Sequence, residues 1–185
     1  MAISVFETDI TRIDTPVLIV NLFKGTTSPR GATGSIDDLL ENSITSLIAD
    51  KEITGAKGEL TLIHTLGKMQ AKRVLIVGLG EQESFTQNTI RFVMAEACRF
   101  LRDKGITAAS TILHGGGIGQ IPPEAAARSI TEGCMLGLYT FSKYKQDDKE
   151  TSMGIFDLTI LDNDPAKIPL IANGINKGKS ISEGV

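Results

Sequence analysis

Lys72-Arg73-Val74-Leu75-Ile76-Val77-Gly78-Leu79-Gly80 is the stretch whose reading decides the fold. Val74 to Val77 is apolar at every position, so the strand it predicts has no polar face and must be covered on both sides. Just upstream, Glu59 to Thr65 reads as another strand, joined to the first by a turn at Gly67-Lys68. A connection this short makes the pair antiparallel. Together the two strands predict a mixed sheet with layers above and below it.

Outward from this pair, strands and helices alternate. Pro16 to Phe23 is a short run rich in β-branched residues and reads as a buried strand. Gly25 to Gly34 has loop composition. Ser35 is the expected N-cap of the next helix, with Asp38 as its capping-box partner. Ile36, Leu39, Leu40, Ile44, Leu47 and Ile48 then recur at helical spacing, which predicts one amphipathic helix to about Ala49.

Downstream, Thr86 to Lys104 carries Ile90, Val93, Met94, Ala97 and Leu101 on one face, with Gly105 to close the helix. Thr107 to Leu113 predicts a strand, Gly115 to Gln120 a glycine-rich loop, and Pro122-Pro123 the start of a helix reaching about Leu138. Phe156 to Leu161 is the last strand. From Pro165 a weaker helical pattern runs through Ile168, Ile171, Ala172 and Ile175, interrupted by Gly174 and Gly178. The alternation predicts an α/β domain, a three-layer α/β/α with a mixed central sheet.

Composition narrows the function. The 185 residues suit one domain; 41% are hydrophobic, 22% are charged and the net charge is −3. No basic surface announces a nucleic-acid partner, so nucleic acid is not expected, and neither is a membrane. The scatter of Lys143, Lys145 and Lys149 is offset by Asp147, Asp148 and Glu150, and reads as a solvated face. Cys98 and Cys134 lie in apolar helical settings that suit buried free thiols more than a disulfide. With no basic n-region and apolar h-region at the start, the expectation is a soluble, cytoplasmic protein.

Val77-Gly78-Leu79-Gly80 invites a dinucleotide fingerprint, but Glu83 stands where its third glycine belongs and Glu81 adds a second carboxylate. A strand-end turn explains the stretch better. His114-Gly115-Gly116-Gly117-Ile118-Gly119 is a different matter. Glycines let the backbone approach a ligand and turn N–H groups toward an anion, which makes Gly115, Gly116, Gly117 and Gly119 a candidate ligand loop. No Lys, Ser or Thr completes a phosphate loop there. The two histidines, His64 and His114, form no metal-ligand spacing with the cysteines, and structural roles are expected for both. No serine occupies a nucleophile elbow. Asp37, Asp38, Asp157 and Asp162 lie at helix starts or strand ends, where capping accounts for them. No catalytic, cofactor-binding or metal-binding residues are assigned.

The ordered series of motifs resembles the N-terminal domain of the leucyl (cytosol) aminopeptidase family. The series comprises Val17–Val20, the helix from Asp37, Gly58-Glu59-Leu60, Lys72-Arg73-Val74 through Gly80, and Thr89-Ile90-Arg91. Its most specific part is Glu132-Gly133, then Leu136-Gly137-Leu138-Tyr139-Thr140-Phe141 and Lys143-Tyr144-Lys145. This looks like a helix end whose glycines permit close packing, with Tyr139 and Phe141 as aromatic anchors. Ser142 stands where the family often has Asp, and the Gly115–Gly119 loop is richer in glycine than expected.

The resemblance implies a macro-domain-like fold over residues 1–165, with residues 166–185 beginning a linker helix toward a catalytic domain. It implies a cytosolic, hexameric parent exopeptidase acting on peptide substrates. Two divalent metals, Zn or Mn, would sit in that catalytic domain. The family's Asn-x-Pro-x-Asn and Asn-Thr-Asp-Ala-Glu-Gly-Arg-Leu segments do not occur in these 185 residues. The chain itself is therefore expected to be inactive and to serve subunit assembly and active-site access. The alternative expectation is a self-standing module that binds ADP-ribose or a related nucleotide through the Gly115–Gly119 loop. Contact with DNA, known in some of the family, fits the acidic balance poorly.

Overall fold

The computed structural model describes residues 2–115, 120–139 and 156–183. Its six strands are β1 (Ala2–Glu7), β2 (Leu18–Phe23), β3 (Leu60–His64), β4 (Arg73–Gly80), β5 (Ala108–Ile112) and β6 (Asp157–Asp162). They form one sheet in the order β1-β6-β5-β2-β4-β3. All neighbours are parallel except β3 and β4, which run antiparallel with Leu60 opposite Val77 and His64 opposite Arg73. The sheet is mixed, as the short turn at Gly67-Lys68 predicts.

The helices are α1 (Gly31–Leu39), α2 (Ser43–Ala49), α3 (Gln87–Asp103), α4 (Pro123–Leu138) and α5 (Ile168–Glu183). On one face of the sheet Ile19, Leu75, Val77 and Leu79 share a core with Ile90 and Met94 of α3, Ile130 of α4 and Ile171 of α5. On the other, Leu18, Val20, Val74 and Ile76 pack with Ile36 of α1 and Ile44 of α2. Val74 to Val77 thus feed the two cores alternately, which is why the run has no polar position. β1 has no counterpart in the sequence reading. At the sheet edge it buries Ile3 and half-buries Val5, too little apolar signal to stand out.

The single helix expected from Ser35 to Ala49 is two helices. α1 begins at Gly31, inside the stretch expected to be loop, and Ser35 lies within it, its Oγ donating to the Gly31 carbonyl at 3.2 Å. α1 ends in a Schellman closure: the Asn42 N–H reaches the Asp37 carbonyl at 2.8 Å and the Glu41 N–H reaches Asp38 at 3.1 Å. Glu41 and Asn42 take φ of 55° and 60°. Asp37 compensates. Its carboxylate leaves α1 and accepts the N–H groups of Ile44 (2.7 Å) and Thr45 (3.2 Å), capping α2. The apolar spacing runs through the break because both helices face the same core.

α3 ends as Gly105 predicts, with φ of 70° there and the Ile106 N–H on the Leu101 carbonyl at 2.9 Å. α4 lies between α3 and α5 at backbone distance. A Cβ at Gly137 would stand 2.5 Å from the Ala95 carbonyl oxygen, so only glycine admits this approach. The glycine packing expected near Glu132-Gly133 is present. Tyr139, by contrast, is 70% exposed and belongs to neither core cluster among the described residues. Phe141 and the basic scatter of Lys143, Lys145 and Lys149 lie outside the described residues. Gly174, which weakens the helical pattern of α5, fits against the Glu124 carbonyl of α4.

Candidate functional site

β2 is flanked by β4 on one side and β5 on the other. The chain leaves β2 toward β3 and β4, and leaves β5 toward β6, so the carboxyl ends of β2 and β5 form a topological switch point. A cleft of about 590 Å³ opens there, a size suited to a small molecule. Asn21 and Phe23 of β2, the Thr26–Arg30 segment, Thr33 of α1 and Gly115 line it. The Thr33 hydroxyl donates to the Asn21 carbonyl at 2.8 Å, which ties α1 to the end of β2.

Of the candidate ligand loop, Gly115 reaches this cleft, while Gly116, Gly117 and Gly119 lie outside the described residues. Gly115 has φ of 82°, and a Cβ on it would collide with the Phe85 ring. Phe85 in turn meets Phe23 edge to face, with centroids 5.2 Å apart. An aromatic pair therefore braces one wall of the cleft.

His114, beside Gly115, is fully buried. Its Nδ1 is 2.9 Å from Asn21 Nδ2, and its Nε2 is 3.1 Å from both Thr111 Oγ1 and Met94 Sδ. Burial lowers its pKa to about 4, so the ring is neutral at ordinary pH. The structural role expected for His114 holds. His64, at the exposed end of β3, contributes nothing to the cleft.

Other sequence candidates resolve as structure. Val77-Gly78-Leu79-Gly80 is not a strand-end turn, because β4 continues to Gly80. A Cβ at Gly78 would fall 1.9 Å from the Ala56 carbonyl oxygen, and the Gly58 N–H bonds the Gly78 carbonyl at 3.0 Å. The glycine lets residues 55–59 cross the strand. Asp157 accepts the Ala2 N–H at 3.0 Å, and Asp162 accepts the Asp164 N–H at 2.9 Å. Glu132 holds Arg91 of α3 and Arg128 of α4. Burial alone would raise its carboxyl, but the hydrogen bonds from Arg128 and Arg91 outweigh it and keep the pKa below the ordinary value.

Cys98 and Cys134 are buried free thiols. Their mutual hydrogen bond, together with burial, pushes the Cys98 thiol well up. Among the described residues no group of three or more His, Cys, Asp or Glu side chains could hold a metal ion, and no helix is long and apolar enough to cross a membrane.

Sequence reasoning missed Asn21 and the Thr26–Arg30 wall. Gly31, followed by small residues after a strand and a loop, was an available signal for an earlier helix start. Nothing local indicated that β2 and β5 would be neighbours.

Comparison with known proteins bears on this geometry. The model of the N-terminal domain of the cytosol aminopeptidase family matches residues 19–148. A "probable cytosol aminopeptidase" of Geobacter sulfurreducens is 34% identical over 145 residues, covering 78% of this chain and 29% of its own length. A tomato leucine aminopeptidase mutant superposes with a TM-score of 0.75 at 15% identity, over all of this chain and 36% of that one. A Trypanosoma brucei macrodomain solved in complex with ADP gives 0.71 at 11% identity, over 94% and 69% of the two chains. These two structural likenesses speak for the fold alone, a macrodomain-like α/β/α. The chain spans about a third of the length of the curated relatives it matches. With the family's N-terminal model covering most of the chain and a relative 34% identical over 78% of it, the chain belongs to the cytosol aminopeptidase family, as its N-terminal domain.

Proposed function

We propose that this is the non-catalytic N-terminal domain of a metal-dependent leucyl aminopeptidase whose parent protein removes N-terminal amino acids from peptides. The match over residues 19–148, in relatives about three times as long, carries the reading. On it, residues 1–165 form the macro-like unit and residues 166–185 begin the helix toward a catalytic domain, which would hold two divalent metals, Zn or Mn. The domain's own part is contact between subunits of a hexamer and control of access to the catalytic interior. The relatives' description as cytosol aminopeptidases supports a cytoplasmic location. The test is an assay of the protein that carries this domain: it should release leucine from a leucyl peptide with Mn²⁺ or Zn²⁺ and elute as a hexamer. A metal-loaded protein that releases none overturns the reading.

A second reading concerns the domain itself. The 590 Å³ cleft at the switch point, lined by Gly115 of the Gly115–Gly119 loop in a macrodomain-like fold, favours binding of ADP-ribose or a related nucleotide. Calorimetry with ADP-ribose tests it. Saturable heat supports the reading, and a flat titration ends it.

A further inference from the structure

The turn that joins β3 to β4 places a leucine where the backbone disfavours one. The Lys68 N–H closes on the Thr65 carbonyl at 3.0 Å, and the two residues between them, Leu66 and Gly67, take φ of 51° and 84°. Positive φ at both central positions makes this a type I′ turn, whose first central position suits Asn, Asp or Gly. A leucine there crowds its Cβ against its own backbone. The side chain recovers little by burial, since Leu66 is 87% exposed. Exposed leucines scattered singly are ordinary, but one that is also held in a disfavoured conformation has no local reason to be leucine.

The turn is firmly braced. Thr65 Oγ1 meets the Ala71 and Lys72 carbonyls at 2.7 and 3.2 Å, and both Thr65 and Ala71 are buried. Half-buried Met69 packs on the core shared with α1 and α2. Lys68 Nζ donates to Glu41 Oε2 at 2.8 Å, just past the end of α1. Leu66 is therefore presented on a fixed support, and a partner that covers it gives up little entropy in ordering it.

The neighbours of Leu66 indicate what covers it. Exposed Leu39 stands two positions before Glu41, as Leu66 stands two positions before Lys68. The ion pair thus ties together a patch of two leucines, one acid and one base. The Glu41 side chain is 76% exposed, which leaves its carboxylate room for a second ammonium group. A patch balanced in charge offers no purchase to a strongly charged partner, but it matches its own image. About a two-fold axis, Leu66 of each copy meets Leu39 of the other, and Glu41 of each meets Lys68 of the other.

We propose that this patch is a contact between two copies of the chain, with Leu66 as its apolar anchor. The proposal rests on the subunit-contact part of the function proposed above and gives that contact a surface. It is measured on the chain itself, so its failure leaves the peptidase assay unaffected, and a failed peptidase assay leaves the pairing to be measured.

Sedimentation equilibrium of the whole chain, from low to high micromolar concentration at low salt, tests it and should show a monomer–dimer equilibrium. Leu66→Asn removes the anchor and supplies a residue that the turn prefers. It should weaken the pair by about tenfold or more, while raising the melting temperature of the monomer by about 2 °C. Loss of pairing through misfolding would lower that temperature instead. Glu41→Lys and Lys68→Glu should each pair poorly with themselves and well with one another, because mixing them sets opposite charges face to face only across a contact between copies. A chain that stays monomeric throughout overturns the proposal. A dimer that Leu66→Asn weakens by less than about twofold overturns it too, as does a mixture of the two charge variants that associates no better than either alone. In both of these cases the copies meet through another surface.

Discussion

On one face of the sheet, α3, α4 and α5 lie backbone against backbone, with Gly133 and Gly137 pressed to α3 and Gly174 to α4. On the other, α1 and α2 span nine and seven residues, and non-glycine residues in left-handed conformation, Glu41 and Lys51, follow their ends. The first face has traded side chains for close approach and has no slack. The second is assembled from short capped pieces, and the cleft opens beside it at the ends of β2 and β5. A cleft survives on a stable domain because the two demands fall on different parts of the molecule.

The sharpest way to break this contrast is to wedge the close-packed face. Gly137→Val should cost about 3 kcal/mol, since the new atoms meet the α3 backbone at Ala95 and not a movable side chain. The urea midpoint reads it. A loss below about 1 kcal/mol would mean that the helices part easily and the face is not rigid.

His114 joins the close-packed side to the cleft, and acid should expose it. Its folded pKa of about 4 lies below the ordinary 6.5, so between these values the unfolded chain binds a proton that the native chain refuses. Stability attributable to this group therefore declines as pH falls below 6.5, by about 3 kcal/mol near pH 4. Melts at pH 7, 5.5 and 4 should show that slope in the wild type, and His114→Gln should remove it. An identical slope in both would assign it to the carboxylates.

Glu132→Gln keeps the shape of the α3–α4 junction while leaving Arg91 and Arg128 without their counter-charge. Both arginines are partly exposed, so the loss at neutral pH should be about 2 kcal/mol, less than for a fully buried pair. The carboxyl is held below its ordinary 4.5, so its contribution is present above that pH and disappears as pH falls through the lowered value. Wild type and variant should converge in strong acid, and curves that stay parallel would contradict the ion-pair account.

The smallest effect belongs to the other face, with the opposite sign. Lys51 sits at φ 61° just past α2, where the Glu52 N–H closes on the Leu47 carbonyl at 2.9 Å. Lys51→Gly should stabilise by about 1 kcal/mol by relieving the left-handed strain. A lowered melting temperature would show that the short helices carry no such strain.

Most of the framework is legible in the chain because its signals are local. Val74 to Val77 announces a doubly covered strand, the apolar face of α3 and Gly105 announce a helix and its end, and Pro122-Pro123 marks the start of α4. The split between α1 and α2 was hidden because Ile36, Leu40 and Ile44 keep helical spacing across it. The left-handed φ of Glu41 and Asn42 and the bonds to the Asp37 carboxylate reveal the break. Of the candidate ligand loop, Gly115 lines the cleft, whereas Asn21 passed as one residue of a buried strand.

The amino-acid sequence by itself determined the alternation of strands and helices, the antiparallel β3–β4 pair and the family, since each follows from residues close together or in a fixed order. The tertiary structure alone decided that β2 lies between β4 and β5, that Asn21 meets His114 across 93 positions, and that a cleft opens beside them. The physical reason is that strand order and long-range hydrogen bonds are selected by packing the whole core. No short stretch of side chains encodes which distant strand becomes its neighbour.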